Sequence, residues 1–181
     1  MEVEDETKLT LVLGGARSGK SRFAQGLMAP AIPVIFWATG LPVDAEMKKR
    51  IAIHRRSRPK HWSLLEEPRD LLMGLKKIHA LGAKHFLLDS LTTWVGNMLF
   101  ESRARRKSEN KPLDQLLAFL AALKKSSLRC VIVSDEVGMS LVPETAMGRT
   151  FRDILGDANQ IVAAASNRVY WVSAGIPQKI K

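Results

Sequence analysis

The sequence has a single cysteine in 181 residues, a single tyrosine, and 6% aromatic residues overall. One cysteine excludes an internal disulfide, and the place of Cys130 in the apolar run CVIV reads as a buried strand residue without a chemical role. No apolar run approaches the roughly eighteen residues that a membrane span requires. The start, MEVEDETK, is acidic where a secretion signal is basic and then apolar, so the expectation is a soluble, cytoplasmic chain with no membrane span. Internal repeats and low-complexity tracts are also missing.

Acidic residues are in deficit. Lys and Arg number 28 against 18 Asp and Glu, a net charge of +10, so the field around the molecule attracts polyanions such as nucleotides or nucleic acid. Charge alone does not separate the two. With 46% hydrophobic residues, the length suits one compact domain spanning 1–181.

Five short apolar or β-rich runs punctuate the chain: Thr10–Leu13, Val34–Ala38, His85–Asp89, Cys130–Ser134 and Val169–Ser173. Between them, Ser21–Met28, Asp44–Arg56, Arg69–Ala80, Leu91–Phe100, Leu113–Ser126 and Glu144–Ser166 have helical spacing or composition, with Gly and Pro near their ends. The alternation predicts an α/β fold with a mostly parallel sheet flanked by helices; strand order does not follow from it. Glu101–Lys111, with Arg103, Arg105, Arg106 and Lys107, reads as a solvated loop, or more sharply as a nucleic-acid-binding arm.

Gly14, Gly15, Ala16, Arg17, Ser18, Gly19, Lys20 and Ser21 fit G-x-x-x-x-G-K-[ST], directly after LTLVL and directly before a helical segment, the context that a phosphate loop requires. By residue frequencies the pattern arises by chance in on the order of one chain in a hundred of this length. Glycines let the backbone turn its N–H groups toward phosphate oxygens, Lys20 neutralises the β- and γ-phosphates, and the Ser21 hydroxyl suits Mg²⁺. A carboxylate at the end of another strand commonly completes such a site; Asp89, closing FLLD, is the candidate, with a helix N-cap as its alternative role. The loop leaves GTPases, small-molecule kinases and strand-handling ATPases open, and the N-K-x-D signature of GTPases is missing.

Met47, Ile51 and His54 fall at i, i+4 and i+7 of the expected Asp44–Arg56 helix. On the residues alone, His54 reads either as a core histidine or as a nucleophile whose target phosphate is offset by Arg55, Arg56 and Arg58.

GGARSGKSRFA, DAEMKKRIAIHRRSRPKHW, EVGMSLVPE and FRDILGDANQIVAAA with the ending SAGIPQKIK together resemble the bifunctional adenosylcobinamide kinase/adenosylcobinamide-phosphate guanylyltransferase family over nearly the whole length. The R-I-x-x-H-x-x-x-R-P and E-V-G-x-x-x-V-P-E blocks are not general features of phosphate-loop proteins. The resemblance implies phosphorylation of adenosylcobinamide, then transfer of GMP from GTP to the product, giving adenosylcobinamide-GDP in cobalamin biosynthesis. It implies a GMP–histidine intermediate at His54, with Lys20 as the other catalytic residue. It also implies nucleotide contacts from the loop, from Ala38, Thr39 and Gly40, from Arg55, Arg56, Ser57 and Arg58, from Glu66 or Arg69, and from Asp89. A RecA-like phosphate-loop fold, Mg²⁺ held by Ser21 and Asp89, GTP and ATP as substrates, and a homotrimer complete the expectation.

The chain departs from the family pattern at Asp135, where Asn usually precedes Glu-Val-Gly, and in smaller ways at Trp62–Glu66, Ser166-Asn167 and Asp89. Two other readings stand beside this one: a phosphate-loop small-molecule kinase with a structural His54, and a nucleic-acid-dependent ATPase drawing on the net positive charge.

Overall fold

The apolar runs form strands, and two strands without a strong apolar signature extend the sheet. The computed structural model describes residues 8–28, 33–45, 48–49, 52, 59–104 and 111–181. The order is β1 (Leu9–Gly14), α1 (Lys20–Gly26), β2 (Val34–Ala38), β3 (Ser63–Glu66), α2 (Leu71–Ala80), β4 (His85–Asp89), α3 (Leu91–Ala104), α4 (Lys111–Lys125), β5 (Arg129–Asp135), α5 (Ala146–Ala165), β6 (Arg168–Ser173) and β7 (Ile176–Lys179). The seven strands lie in one sheet in the order β3-β2-β4-β5-β1-β6-β7. Every pairing is parallel except that of β6 with β7.

Side chains alternate between the two faces of a strand, and each face has its own core. On one face Leu11, Trp37, Phe86 and Ile132 pack with Leu75 and Ile78 of α2, Trp94 and Met98 of α3, Phe119 of α4, and Leu155 and Ala158 of α5. On the other, Val12, Phe36, Leu87, Val133 and Val172 pack with Ala24 of α1 and with Met28 just beyond it. Burial on both sides explains why the central strands read as continuous apolar runs rather than as alternating ones.

The strands missed in the sequence are edge strands. β3 buries only Leu65, and β7 has no buried residue and contains Pro177, so neither carries a periodic signal. The helix expected to stop at Phe100 continues to Ala104, which removes the first residues from the expected Glu101–Lys111 loop; the α3 residue Glu101 pairs with Arg69 at 3.5 Å. Residues 105–110, with Arg105, Arg106 and Lys107, lie outside the described residues. Among the described residues, no helix is long and apolar enough to cross a membrane.

Because β1 to β6 run parallel, their C-terminal ends share one edge of the sheet, the edge at which open α/β sheets bind ligands. Gly14, Ala38, Glu66, Asp89, Asp135 and Ser173 close these strands there.

Candidate active site at the phosphate loop

The turn after β1 has the backbone that its glycines permit. Gly19 has φ 93°, and a Cβ on it would stand 3.2 Å from the Gly175 Cα. Gly14 has a different reason: a Cβ there would lie 2.5 Å from both the Ser18 Oγ and the Val172 carbonyl oxygen, so close packing against β6 requires glycine. Arg17 adopts a left-handed φ of 57°. The Ser18 N–H donates to the Gly15 carbonyl at 3.2 Å, and the Gly175 N–H donates to the Ser18 carbonyl at 2.8 Å, which ties the loop to the turn between β6 and β7. α1 begins without a side-chain cap and without an acidic residue in its first turn. Ser18 is buried, and its hydroxyl has no hydrogen-bond partner among the described residues.

Lys20 folds back over the loop. Its Nζ donates to the Gly15 carbonyl at 3.0 Å and forms an ion pair with the Asp135 carboxylate. The two side chains are 11% and 27% exposed, so the pair sits in a partly screened cleft. Asp135 ends β5 in register with Gly14, and the next residue, Glu136, donates its N–H to the Gly14 carbonyl at 3.1 Å. The Asp135 N–H donates to the Thr92 hydroxyl at 2.7 Å, and its carbonyl accepts from the Asn159 amide at 3.0 Å. Helices α3 and α5 thus fix the strand end that faces the lysine.

A second polar cluster joins the ends of β2 and β4. Thr39 is fully buried; its hydroxyl donates to the Ser90 carbonyl at 2.7 Å, accepts the Ser90 N–H at 3.0 Å, and contacts the Thr93 hydroxyl. The Asn97 amide donates to the Thr39 carbonyl at 2.8 Å and to the Pro68 carbonyl at 3.0 Å, while the Trp94 indole N–H donates to the Arg69 carbonyl at 2.9 Å. α3 therefore stitches together the loops after β2, β3 and β4.

The sites expected from the sequence divide accordingly. Gly14 to Ser21 form one continuous turn into α1. Ala38 and Glu66 are register partners, as are Ala38 and Asp89. Thr39 lies beside them, with its hydroxyl committed to the sheet edge, and Gly40 follows it, partly buried. Arg69 is exposed just before α2 and faces Glu101. His54, Arg55, Arg56, Ser57 and Arg58 lie outside the described residues, as do Met47 and Ile51. Asp135, marked in the sequence only as a departure from the family pattern, proves to be the ion-pair partner of Lys20. Its signal was present in the sequence, since it closes the apolar run CVIVS as Asp89 closes FLL.

Next to this edge, Glu67 accepts from the Lys77 ammonium at 2.7 Å and from the N–H groups of Asp70 at 3.3 Å and Arg69 at 3.5 Å. Burial opposes its ionisation, but the Lys77 and backbone hydrogen bonds and the Lys77 charge outweigh burial and hold its carboxyl below the usual range.

No group of three or more His, Cys, Asp or Glu side chains among the described residues could hold a metal ion. Mg²⁺ does not require one, because it keeps several waters and takes one or two carboxylates together with phosphate oxygens. Ser21 in the first turn of α1 and Asp89 at the end of β4 offer a hydroxyl and a carboxylate on the same sheet edge, an oxygen donor set that fits this ion.

A family profile described as cobinamide kinase / cobinamide phosphate guanyltransferase matches residues 10–180. The chain belongs to this family. It is similar to the bifunctional adenosylcobalamin biosynthesis protein CobU of Escherichia coli, 39% identical over 183 residues, covering 96% of this chain and 99% of the relative. The CobU of Salmonella typhimurium is likewise 39% identical, over 181 residues with the same coverage. The bifunctional adenosylcobalamin biosynthesis protein CobP of Pseudomonas aeruginosa is 38% identical over 173 residues, 94% of this chain and 96% of the relative. As a member of the family, the chain is an enzyme with cobinamide kinase and cobinamide phosphate guanyltransferase activities.

Proposed function

We propose that one phosphate loop serves both reactions and that the second proceeds through a covalent GMP–histidine intermediate at His54. The observation that carries this reading is the position of Lys20, held over the loop between the Gly15 carbonyl and the Asp135 carboxylate at the shared edge of the sheet.

In the kinase reaction, the loop N–H groups and Lys20 bind the β- and γ-phosphates of ATP or GTP. The hydroxyl of adenosylcobinamide attacks the γ-phosphorus, the bridging bond to the β-phosphate breaks, and the hydroxyl proton passes to water. Mg²⁺, when bound by Ser21 and Asp89, supplies positive charge to the phosphate oxygens.

In the guanylyl transfer, the His54 imidazole attacks the α-phosphorus of GTP, an N–P bond forms, and pyrophosphate leaves with the electrons of the α–β bridging bond. The phosphate of adenosylcobinamide phosphate then attacks the same phosphorus, the N–P bond breaks, and adenosylcobinamide-GDP is released. Arg55, Arg56 and Arg58 offset the charge that develops, and Ser57, Ala38, Thr39, Gly40, Glu66 or Arg69 and Asp89 line the nucleotide. Because pyrophosphate departs before the acceptor reacts, this half of the cycle is ping-pong. The working assembly in this reading is a homotrimer, as the resemblance implies.

Incubation with GTP labelled at the α-phosphate tests the intermediate. The wild-type chain acquires acid-labile, base-stable label, and His54→Ala acquires none. Label that persists in His54→Ala would overturn the choice of nucleophile.

A further inference from the structure

The E-V-G-x-x-x-V-P-E block has no part in either reaction as described above, yet it leaves the sheet at the centre of the catalytic edge. β5 lies between β4, which ends at Asp89, and β1, which runs into the phosphate loop. The block follows Asp135, the counterion of Lys20, and its first residue, Glu136, donates its N–H to the Gly14 carbonyl at 3.1 Å. Residues 136–145 form the whole connection from β5 to α5.

This connection is braced at both ends. Val137 packs against the core, the Gly138 N–H donates to the Glu136 carboxylate, and the Ser140 hydroxyl donates to the Val137 carbonyl at 2.7 Å. At the other end, the Arg149 guanidinium donates to the carbonyls of Pro143 at 2.9 Å and Glu144 at 2.8 Å. Between these ties Met139 is 83% exposed, Leu141 93% and Val142 65%. Single exposed apolar side chains are ordinary. Three large ones within four residues, on a hydrogen-bonded loop beside a charged cleft, mark a contact surface.

Charge narrows the choice of occupant. Residues 136–145 include Glu136 and Glu144 but no Lys or Arg, in a chain of net charge +10. That local composition disfavours a phosphate or a nucleic acid and favours a ligand that is apolar and neutral or cationic. Cobinamide is such a ligand: its macrocycle is fringed with methyl groups and uncharged amides, and the alkylated cobalt(III) corrin carries a positive charge. Both reactions also need a second holding point for it. The reacting hydroxyl or phosphate stands at the tip of a side arm, so groups around Lys20 reach only that arm, and the macrocycle lies beyond them. Met139 is four residues past Asp135, hence within about 14 Å of the strand end. Apolar contact at that reach holds the macrocycle while its arm enters the cleft.

We propose that Met139, Leu141 and Val142 form a platform on which the corrinoid macrocycle rests in both the kinase and the guanyltransferase reactions. This rests on the reading that both reactions use the one phosphate loop, and is independent of the nucleophile.

A chain carrying Met139→Ser and Leu141→Ser together tests the platform. Both side chains are exposed, so the thermal midpoint stays near that of the wild type. The KM for adenosylcobinamide in the kinase reaction and the KM for adenosylcobinamide phosphate in the transfer should each rise about tenfold, the effect of removing apolar contact from large side chains. Calorimetric titration of adenosylcobinamide into protein saturated with adenylyl imidodiphosphate should show the same weakening. Nucleotide KM values and covalent labelling by α-labelled GTP stay at wild-type levels, and Met139→Leu with Leu141→Met, which keeps the apolar surface, binds the corrinoid as the wild type does. Unchanged corrinoid binding in the serine variant, equal losses for nucleotide and corrinoid, or a wild-type chain that takes up no adenosylcobinamide overturns the platform. A lower sedimentation mass in the serine variant also overturns it, and assigns the surface to a second copy of the chain. If only one reaction responds, the single shared loop fails, and the titration with the donor analogue still decides the platform. Absence of label in the wild type counts against His54 alone.

Discussion

Asp135→Asn should tighten binding of a triphosphate in the absence of divalent cations. The wild-type carboxylate does two things against such a ligand. It occupies Lys20 as a counterion, and it places a negative charge at the strand end in register with Gly14, where the phosphate loop begins. Releasing an ion pair that is partly open to solvent contributes about 1 kcal/mol. The repulsion between two unit charges about 4 Å apart is about 4 kcal/mol at an effective dielectric of 20, an upper figure here because the Asp135 side chain is 27% exposed and can turn toward water. The lower figure corresponds to roughly fivefold in affinity, and both effects have the same sign. Asparagine keeps the size of the side chain and the backbone bonds to Thr92 and Asn159, so the change is confined to charge. Calorimetric titration of inorganic pyrophosphate and of GTP in EDTA therefore gives at least fivefold tighter binding for Asp135→Asn, and excess Mg²⁺ narrows the difference by offsetting the charge of the phosphates that the carboxylate repels. Equal or weaker binding in EDTA would show that Asp135 does not compete for the loop lysine.

Three further outcomes follow from the packing. Gly74 of α2 lies against the Trp37 ring so closely that a Cβ would overlap it; Gly74→Ala therefore destabilises the fold by about 1–3 kcal/mol, read as a lower thermal or denaturant midpoint, despite the better helix propensity of alanine. Glu67 has a folded carboxyl below its unfolded value, so its contribution is present above the unfolded pKa and lost as pH falls through the folded one; Glu67→Gln should flatten the acid side of the stability profile and leave neutral pH less stable than the wild type. Cys130 is buried, and burial pushes its thiol far above the usual range, so an aromatic disulfide reagent should react only at the rate of unfolding, whereas fast reaction of the native chain would contradict the packing of β5.

The central strands were legible because they are buried on both faces, and α5 was legible from its apolar stripe and its ends; Thr145, one residue past the expected start, caps it by accepting the Gly148 N–H at 3.1 Å. Edge strands were not legible, since β3 and β7 bury too little for a hydrophobic pattern to form. The phosphate loop announced itself because its residue types recur at fixed spacing within eight positions, even though part of the steric limit on Gly14 and Gly19 comes from Val172 and Gly175, far along the chain. The partner of Lys20 was not local. Asp135 comes beside it only through the adjacency of β1 and β5, which is a property of strand order, and strand order is set by packing of elements far apart in the chain. The Thr39–Ser90–Thr93–Asn97 cluster was hidden for the same reason, since ordinary polar residues acquire their roles only when β2 and β4 meet.

The most direct measurement is a chase of the isolated covalent species. Protein labelled with α-labelled GTP is freed of nucleotide and mixed with adenosylcobinamide phosphate alone. If His54 stores GMP, the label moves from the protein to the corrinoid as adenosylcobinamide-GDP without added GTP, and His54→Ala yields no labelled product. Label that leaves only as free GMP, or a transfer that requires fresh GTP, would contradict a histidine-bound intermediate on the path.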